Sequence, residues 1–372
     1  MPRLTATEIA PPATTVEFIV SVPLDLMNAM YFTRLAADHE GLEGWPTETR
    51  KAMPADLLEE FDFLYNFPLG EPGVLGTMGD MLWAQPQTWD SIEALLAYVR
   101  NLPLGIGSFE EGLGVQGLCY NVTACDIKGN WPETRDLRRE ALVARLQEDA
   151  ADVDAVIAIY DRPEELRTRM VNLIERVYRE YYKPDLPRRL ACLQASAAAH
   201  QGTTADHVAD VMKQISGRDN MCLEPDGVCY KPWRKLRFAP SMDMGPYMSC
   251  AVIGSLHGMF YPCESKFITG NAEGDDSLRM ARIYKALSDE QRLRILDILR
   301  EREMYAQEIV DRTGLHQSMV SRHLGFLKAV GLLHVRKVSN MKFFSLNPDI
   351  RRQLARTLEM FPETATAEGG RR

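Results

Sequence analysis

The strongest constraint in this 372-residue sequence is a reversal of charge near residue 276. From Asp276 to Phe361 there are 16 Lys and Arg against 10 Asp and Glu, a balance of +6. Residues 1–275 hold 25 against 40, a balance of −15, and residues 362–372 are neutral. The net charge of −9 therefore averages two unlike regions. A basic module of about 85 residues joined to an acidic body is the asymmetry expected when one part meets a polyanion and the other does not. Between them GNAEGDDS, residues 270–277, is polar and lacks bulky apolar groups, which places a linker at 270–276. The length also exceeds that of one compact core, so at least two domains are expected.

Several function classes drop out early. Hydrophobic residues make up 45% and charged residues 26%, as in ordinary globular chains, which removes global disorder and rod-like repeats. The longest apolar stretch, Tyr247 to Tyr261, is interrupted by Ser249, Ser255 and His257 and is too short to cross a bilayer. The opening MPRLTATEIAPPATT lacks the apolar core of a secretory signal, so a cytoplasmic protein with no membrane partner is expected. The seven cysteines are scattered, and neither Cys119/Cys125 nor Cys222/Cys229 has metal-knuckle spacing. They read as structural thiols, so no metal and no cofactor is expected. His200 and His207 read as surface or capping residues, and Met242, Met244, Met248 and Met259 as adaptable core packing. There is no nucleophile motif, P-loop or dinucleotide fingerprint, and an enzyme is not expected.

The fold class predicted is mainly α: a helical N-terminal domain with a small β element, followed by a C-terminal winged helix-turn-helix. Residues 1–15, with three prolines and few apolar anchors, read as a flexible arm. Residues 16–269 read as an acidic helical domain with a regulatory or dimerisation role. Apolar residues recur at helical spacing over Leu24–Ala37, Ala55–Tyr65, Ser91–Arg100, Thr134–Ala150, Pro163–Tyr182, Leu186–Gln201 and Ala205–Ser216. Pro68–Gly79 and Leu102–Gly117 are rich in Gly and Pro and read as loops. Near 228–262, short runs of β-branched and aromatic residues between turn signals read as the β element.

The basic module carries the informative motif. In LSDEQRLRILDILRE, Ser288 reads as an N-cap with Asp289 and Glu290 in the first turn, and Leu293, Ile295, Leu296 and Leu299 point inward. A short helix follows with Ile309 and Val310 buried, then a turn at Thr313-Gly314-Leu315 and a second helix from about Gln317 to Val330. This is a helix-turn-helix. Val320, Leu324 and Leu327 face the core, while Gln317, Ser318, Ser321 and Arg322 lie where a major groove is reached. Short hydroxyls and amides permit close approach, and Arg322 can pair with guanine or a phosphate. His323, beside core residues, is included as a phosphate contact.

After Gly331, LLHVRKVSNMKFFSLNP reads as a β-hairpin wing with its turn at Ser339-Asn340 and with Arg336, Lys337 and Lys342 placed for the phosphate backbone. Pro348–Phe361 reads as a final amphipathic helix suited to a dimer surface, and 362–372 as a flexible tail. The module is taken as 277–361.

LSDEQRLRILDIL and LHQSMVSRHLGFLKAVGLLHVRKVSNMKFFSLNP resemble the ArsR family of bacterial winged-helix transcription regulators over about 85 residues, from Ser277 to Phe361. The acidic body, with Gly44-Trp45-Pro46 and LRFAPS, resembles the uncharacterised helical domain that precedes the winged helix in some long ArsR-like regulators. Metal-sensing members carry Cys in the helix before the recognition helix, or Asp and His on the last helix. Here EMYAQEIVDRTG and DIRRQLARTLEMF offer no Cys or His. The Gly-Arg usual at the wing tip is replaced by Ser339-Asn340. The resemblance implies a dimeric repressor on a pseudo-palindromic double-stranded operator, with a small-molecule effector left open. The alternative is an interaction protein whose acidic body is the working part and whose winged helix docks protein.

Overall fold

The computed structural model describes residues 15–68, 72–105, 113–119, 135–148, 152–203, 235–253, 256–263, 277–338 and 341–348, with 211, 215 and 354–355. The chain divides into two units, Met1–Gly274 and Asp275–Arg372. The predicted linker, tail and wing tip, residues 1–14 of the arm, and all but fragments of the helices at 205–216 and 348–361 lie outside the described residues.

The first unit opens with β1 (Thr15–Phe18), so Thr15, assigned to the arm by composition, already belongs to a strand. Helices α1 (Val22–Leu35), α2 (Trp45–Ala52), α3 (Ala55–Asn66), α4 (Gly73–Met81) and α5 (Ile92–Arg100) follow. Then come the single turn α6 (Val115–Leu118) and α7 (Arg135–Glu148), α8 (Val153–Tyr160), α9 (Pro163–Val177) and α10 (Leu186–His200). Local signals explain several starts. Ser21 caps α1 by accepting from the Leu24 amide (3.3 Å), and Ser91 caps α5 by accepting from Ala94 (3.1 Å).

Helix α4 corrects the loop expected at 68–79. Its glycines and Pro72 suggested a loop, yet Val74, Leu75, Met78 and Met81 recur at helical spacing and are all buried. Gly73 has φ +59°, and a Cβ there would lie 2.4 Å from the carbonyl carbon of Tyr65, so both backbone angle and close approach require glycine.

The β element is larger than expected because β1 joins it. With β2 (Lys235–Ser241), β3 (Ser249–Ile253) and β4 (Leu256–Pro262), the sheet order is β1-β2-β4-β3. β1 and β4 flank β2 in parallel, with Thr15 opposite Lys235 and Lys235 opposite Leu256, and β3 pairs antiparallel to β4. The two-residue alternation separates two cores. Leu236, Phe238, Met259 and Tyr261 pack with Val211 and Ile215, whereas Ala239, Leu256 and Phe260 join the main helical core. Met244 and Met259 are core residues, as the sequence suggested. A Cβ on Gly258 would sit 2.3 Å from the Trp83 ring, so glycine lets that ring lie directly on the sheet.

A charged cluster is sealed inside this unit. Arg189 is fully buried beside Asp25 (3.6 Å), Asp185 (3.3 Å) and Asp243, and its guanidinium stacks over Trp45 and Tyr182. The Tyr182 hydroxyl donates to Asp25 (2.6 Å). Burial pushes the Asp25 and Asp243 carboxyls above their ordinary range even though Arg189 opposes it.

The second unit contains α11 (Ser277–Leu287), α12 (Glu290–Ile298), β5 (Met304–Tyr305), α13 (Ala306–Thr313), α14 (Gln317–Ala329), β6 (Leu333–Val338) and β7 (Met341–Leu346). The strands form a sheet of order β5-β7-β6. This is a winged helix-turn-helix. Two expectations change. Asp289, not Ser288, caps α12, accepting from the Arg292 amide (2.9 Å), because Ser288 donates backwards to Lys285 O (2.9 Å). Leu293 is 47% exposed, and Arg292 points inward in its place. Arg292 donates to Ala286 O (2.8 Å) and Lys285 O (2.7 Å), satisfying carbonyls at the end of α11, and lies over the Phe326 ring. Ile295, Leu296 and Leu299 are buried as expected. Among the described residues no helix is long and apolar enough to cross a membrane.

Candidate nucleic-acid interface

The turn between α13 and α14 is built locally. Gly314 ends α13 at φ +69°, a left-handed cap that glycine adopts without strain, and its N–H donates to Val310 O (2.8 Å). Thr313 Oγ1 donates to Ile309 O (2.7 Å), closing the preceding turn. At the other end of α13, the Glu308 carboxylate accepts from the Tyr305 amide (3.1 Å). The hydrogen bond from Arg302 to Glu308 holds that carboxyl below its usual range, and Arg312 does the same for Glu301.

Helix α14 is divided by burial. Val320, Leu324, Phe326 and Leu327 face the core, whereas Gln317, Ser318, Ser321 and Arg322 are exposed together at its N-terminal end. The helix has no Asp or Glu, and its N-cap residue His316 makes no side-chain capping bond. Its exposed face thus presents an amide, two hydroxyls, a guanidinium and the positive end of a 13-residue helix. Among the described residues Arg322 makes no ion pair or hydrogen bond within the chain.

His323 does not join this group. It is 3% exposed on the packed side of α14, where its charge interaction with Asp289 ties the helix to the cap of α12. A position next to Arg322 in sequence is about 100° away around the helix, which carries His323 off the exposed face.

The wing basic residues divide as well. Arg336 is exposed but engaged: Nε donates to Glu303 (3.2 Å), Nη2 binds the other carboxylate oxygen (2.5 Å), and the guanidinium stands over Phe343. Lys342 is exposed on β7 opposite Lys337 of β6, whose side chain lies outside the described atoms. The sequence reading missed Gly325. It lies on the exposed side of α14 at φ below zero, and a Cβ there would meet nothing within 4 Å. Neither backbone angle nor internal packing requires glycine at that point. The signal in the sequence was a glycine inside a strongly periodic helix.

A winged helix-turn-helix with an acid-free, exposed second helix and a flanking basic hairpin defines a DNA-binding transcriptional regulator. Residues 289–335 match the bacterial regulatory protein family arsR. Over 79 residues the chain is 37% identical to the uncharacterised HTH-type transcriptional regulator YceK of Bacillus subtilis, covering 21% of this chain and 78% of that protein. Over 72 residues it is 35% identical to the transcriptional activator HlyU of Vibrio cholerae, covering 19% of this chain and 67% of the relative. It is 30% identical to the transcriptional repressor SdpR of Bacillus subtilis over 71 residues, 19% of this chain and 79% of that protein. The solved structure of HlyU from Vibrio cholerae aligns at 28% identity with a TM-score of 0.20, over 24% of this chain and 98% of that one. The chain belongs to the ArsR family of bacterial regulatory proteins through its C-terminal unit.

Proposed function

We propose that the protein represses transcription as a dimer bound to a pseudo-palindromic operator, with α14 in the major groove of each half-site. The observation that carries this reading is the exposed set Gln317, Ser318, Ser321 and Arg322 on a helix without acids. In this reading the amide and hydroxyls address base edges, and Arg322 takes a guanine or a phosphate. Gly325 lets the groove wall approach the helix backbone closely. Lys342 and Lys337 neutralise flanking phosphates. Arg336 is a secondary contact because it must leave Glu303 first, and His323 supports the helix without touching DNA. Two recognition helices separated by one helical repeat, about 34 to 36 Å, fit half-sites in successive major grooves. Repression follows from occluding a promoter. Relatives named as an activator and as a repressor occur side by side, so a reporter assay reads the sign directly.

The test is selection of bound duplexes from a random library by the full chain, followed by titration at two salt concentrations. A palindromic consensus with log affinity falling by about 0.9 per neutralised phosphate against log salt is the expected result. Weak binding without sequence preference would overturn the operator reading.

A further inference from the structure

The first unit holds a cavity of about 400 Å³ framed by α1, α4, β3 and β4, within the range of small-molecule sites, about 300 to 1,000 Å³. Its walls include Tyr31 and Phe260, and its polar groups include Asn28, Asp80 and Cys250. Among the described residues no Lys, Arg or His lines it. Asp80 is half-buried at the end of α4, and among the described residues it makes no hydrogen bond or ion pair. By contrast Asp25, Asp185, Asp243, Glu301, Glu303 and Glu308 each have an arginine, and Asp289 has a backbone amide. The carboxyl is pushed up to about 7 by desolvation and by the neighbouring Cys250, which is the mark of an acid lacking a positive partner.

Two further features point to an occupant. Asn28 is 4% exposed, and its Nδ2 donates to Ser241 Oγ (2.9 Å), which also bonds Asp25. That fixes the amide nitrogen and leaves its oxygen as the acceptor, so the lining supplies a second acceptor beside Asp80. Gly79 also borders the cavity, at φ below zero, and a Cβ there would meet only Met27 Cβ at 3.8 Å, an ordinary contact. Unlike Gly73, it has no backbone reason to be glycine, and inside a helix it costs about 1 kcal/mol relative to Ala. What a side chain at Gly79 would displace is the cavity itself.

We propose that this cavity binds a small organic cation, an ammonium, amidinium or guanidinium on an apolar body, with its charge against Asp80 and its body against Phe260 and Tyr31. A cation supplies the charge that Asp80 lacks, its N–H groups match the two acceptors, and the aromatic walls suit both the body and the charge. Any regulation by this ligand rests on the DNA-binding reading above. The binding itself does not, and it is measured without DNA.

The experiment is isothermal titration calorimetry of the full chain with 2-phenylethylamine, benzamidine and hexylamine, against phenylacetate and 2-phenylethanol as an anion and a neutral compound of similar size. At pH 8 at least one amine should bind with one-to-one stoichiometry, about tenfold or more tighter than either control. Asp80→Asn should weaken it about tenfold or more, and Gly79→Leu should abolish it. Among the described residues, the other titratable groups on the cavity wall are the Tyr31 phenol from α1 and the Cys250 thiol from β3. Behind Tyr31, the Tyr65 phenol is held well above its ordinary value by burial and does not ionise in this range. Affinity in the unaltered chain should therefore rise about tenfold from pH 6 to pH 8, with nearly one proton released on binding at pH 6 and almost none at pH 8, and Cys250→Ala should keep that rise. The pH series decides the matter even if Asp80→Asn fails to fold. The proposal is overturned if no amine binds below about 1 mM, if phenylacetate or phenylethanol binds as well as the amines, or if affinity ignores both pH and Asp80→Asn in a folded protein.

Discussion

Helices α4 and α14 lie in different units, yet each carries a glycine that neither angle nor packing requires, close to a charged side chain that has no hydrogen bond or ion pair among the described residues. In α14 the pair is Gly325 and Arg322, fully on the surface; in α4 it is Gly79 and Asp80, on the wall of a cavity. The signs are opposite, and so are the settings. An exposed cation beside a bare helix surface fits a large polyanion, whereas a half-buried acid beside an empty volume fits a small cation. Several other charges of each unit are paired within the chain. Glu301, Glu303 and Glu308 of the second unit take Arg312, Arg336 and Arg302, and Asp25 and Asp243 of the first share Arg189.

The largest effect tests whether the buried charges of the first unit are structural. Arg189→Met should destabilise that unit by about 3 to 5 kcal/mol, because it strands Asp25 and Asp243 in the interior. All five tryptophans precede residue 275, so urea unfolding followed by tryptophan fluorescence reads this unit alone. A change below about 1 kcal/mol would mean that water reaches the cluster and that the contrast with Asp80 is false.

Next in size is the pH response of Asp80. Its folded value of about 7 lies above its ordinary 3.8, so its contribution to stability is fully present below about pH 3.8 and is lost as pH rises from there through about 7. Asp80→Asn cannot ionise and avoids that loss. Its stability advantage over the unaltered chain should grow by about 2 to 3 kcal/mol between pH 5 and pH 8. Parallel pH profiles would show that Asp80 already has a partner and is not the counterpart of Arg322.

These contrasts were unequally legible in the sequence. The second unit was readable because its determinants are local: the Gly314 cap, the polar start of α14 and the paired strands of the wing all fall within 33 residues, Gly314 to Leu346. What escaped there depended on neighbours in space. Arg292 turns inward because carbonyls of α11 await it, displacing Leu293 outward, and Glu303 occupies Arg336 from 33 residues away. In the first unit the distances are longer. β1 finds its partner 220 residues later, with Thr15 opposite Lys235, so four residues with no local turn carried no sign of a strand. The cavity draws on Leu24 at one extreme and Phe260 at the other, and the glycines that open it made α4 look like a loop.

Removing the exposed cation gives the third effect. Arg322→Ala should lower operator affinity by about 1 to 3 kcal/mol and relax preference at one base position, while leaving the tryptophan-monitored transition unchanged. Lys342→Ala should instead weaken all sequences alike and reduce the salt slope by about 1. Competition binding against single-base operator variants separates the two. If both substitutions behave as the lysine is expected to, α14 holds the backbone and does not read bases.

The smallest change is the sharpest test of the shared glycine. Gly325→Ala adds one methyl that meets nothing within the protein, and alanine is the better helix former, so the second unit should gain about 0.5 to 1 kcal/mol. If a groove wall approaches that point, the same methyl should weaken operator binding. Stability and affinity then move in opposite directions, which a substitution damaging the fold could not produce. The gain is read by circular dichroism at 222 nm during thermal unfolding, and the loss by titration against the selected operator. A variant that is more stable and binds equally well would leave Gly325 without a role, and the parallel with Gly79 would have to stand on Arg322 and Asp80 alone.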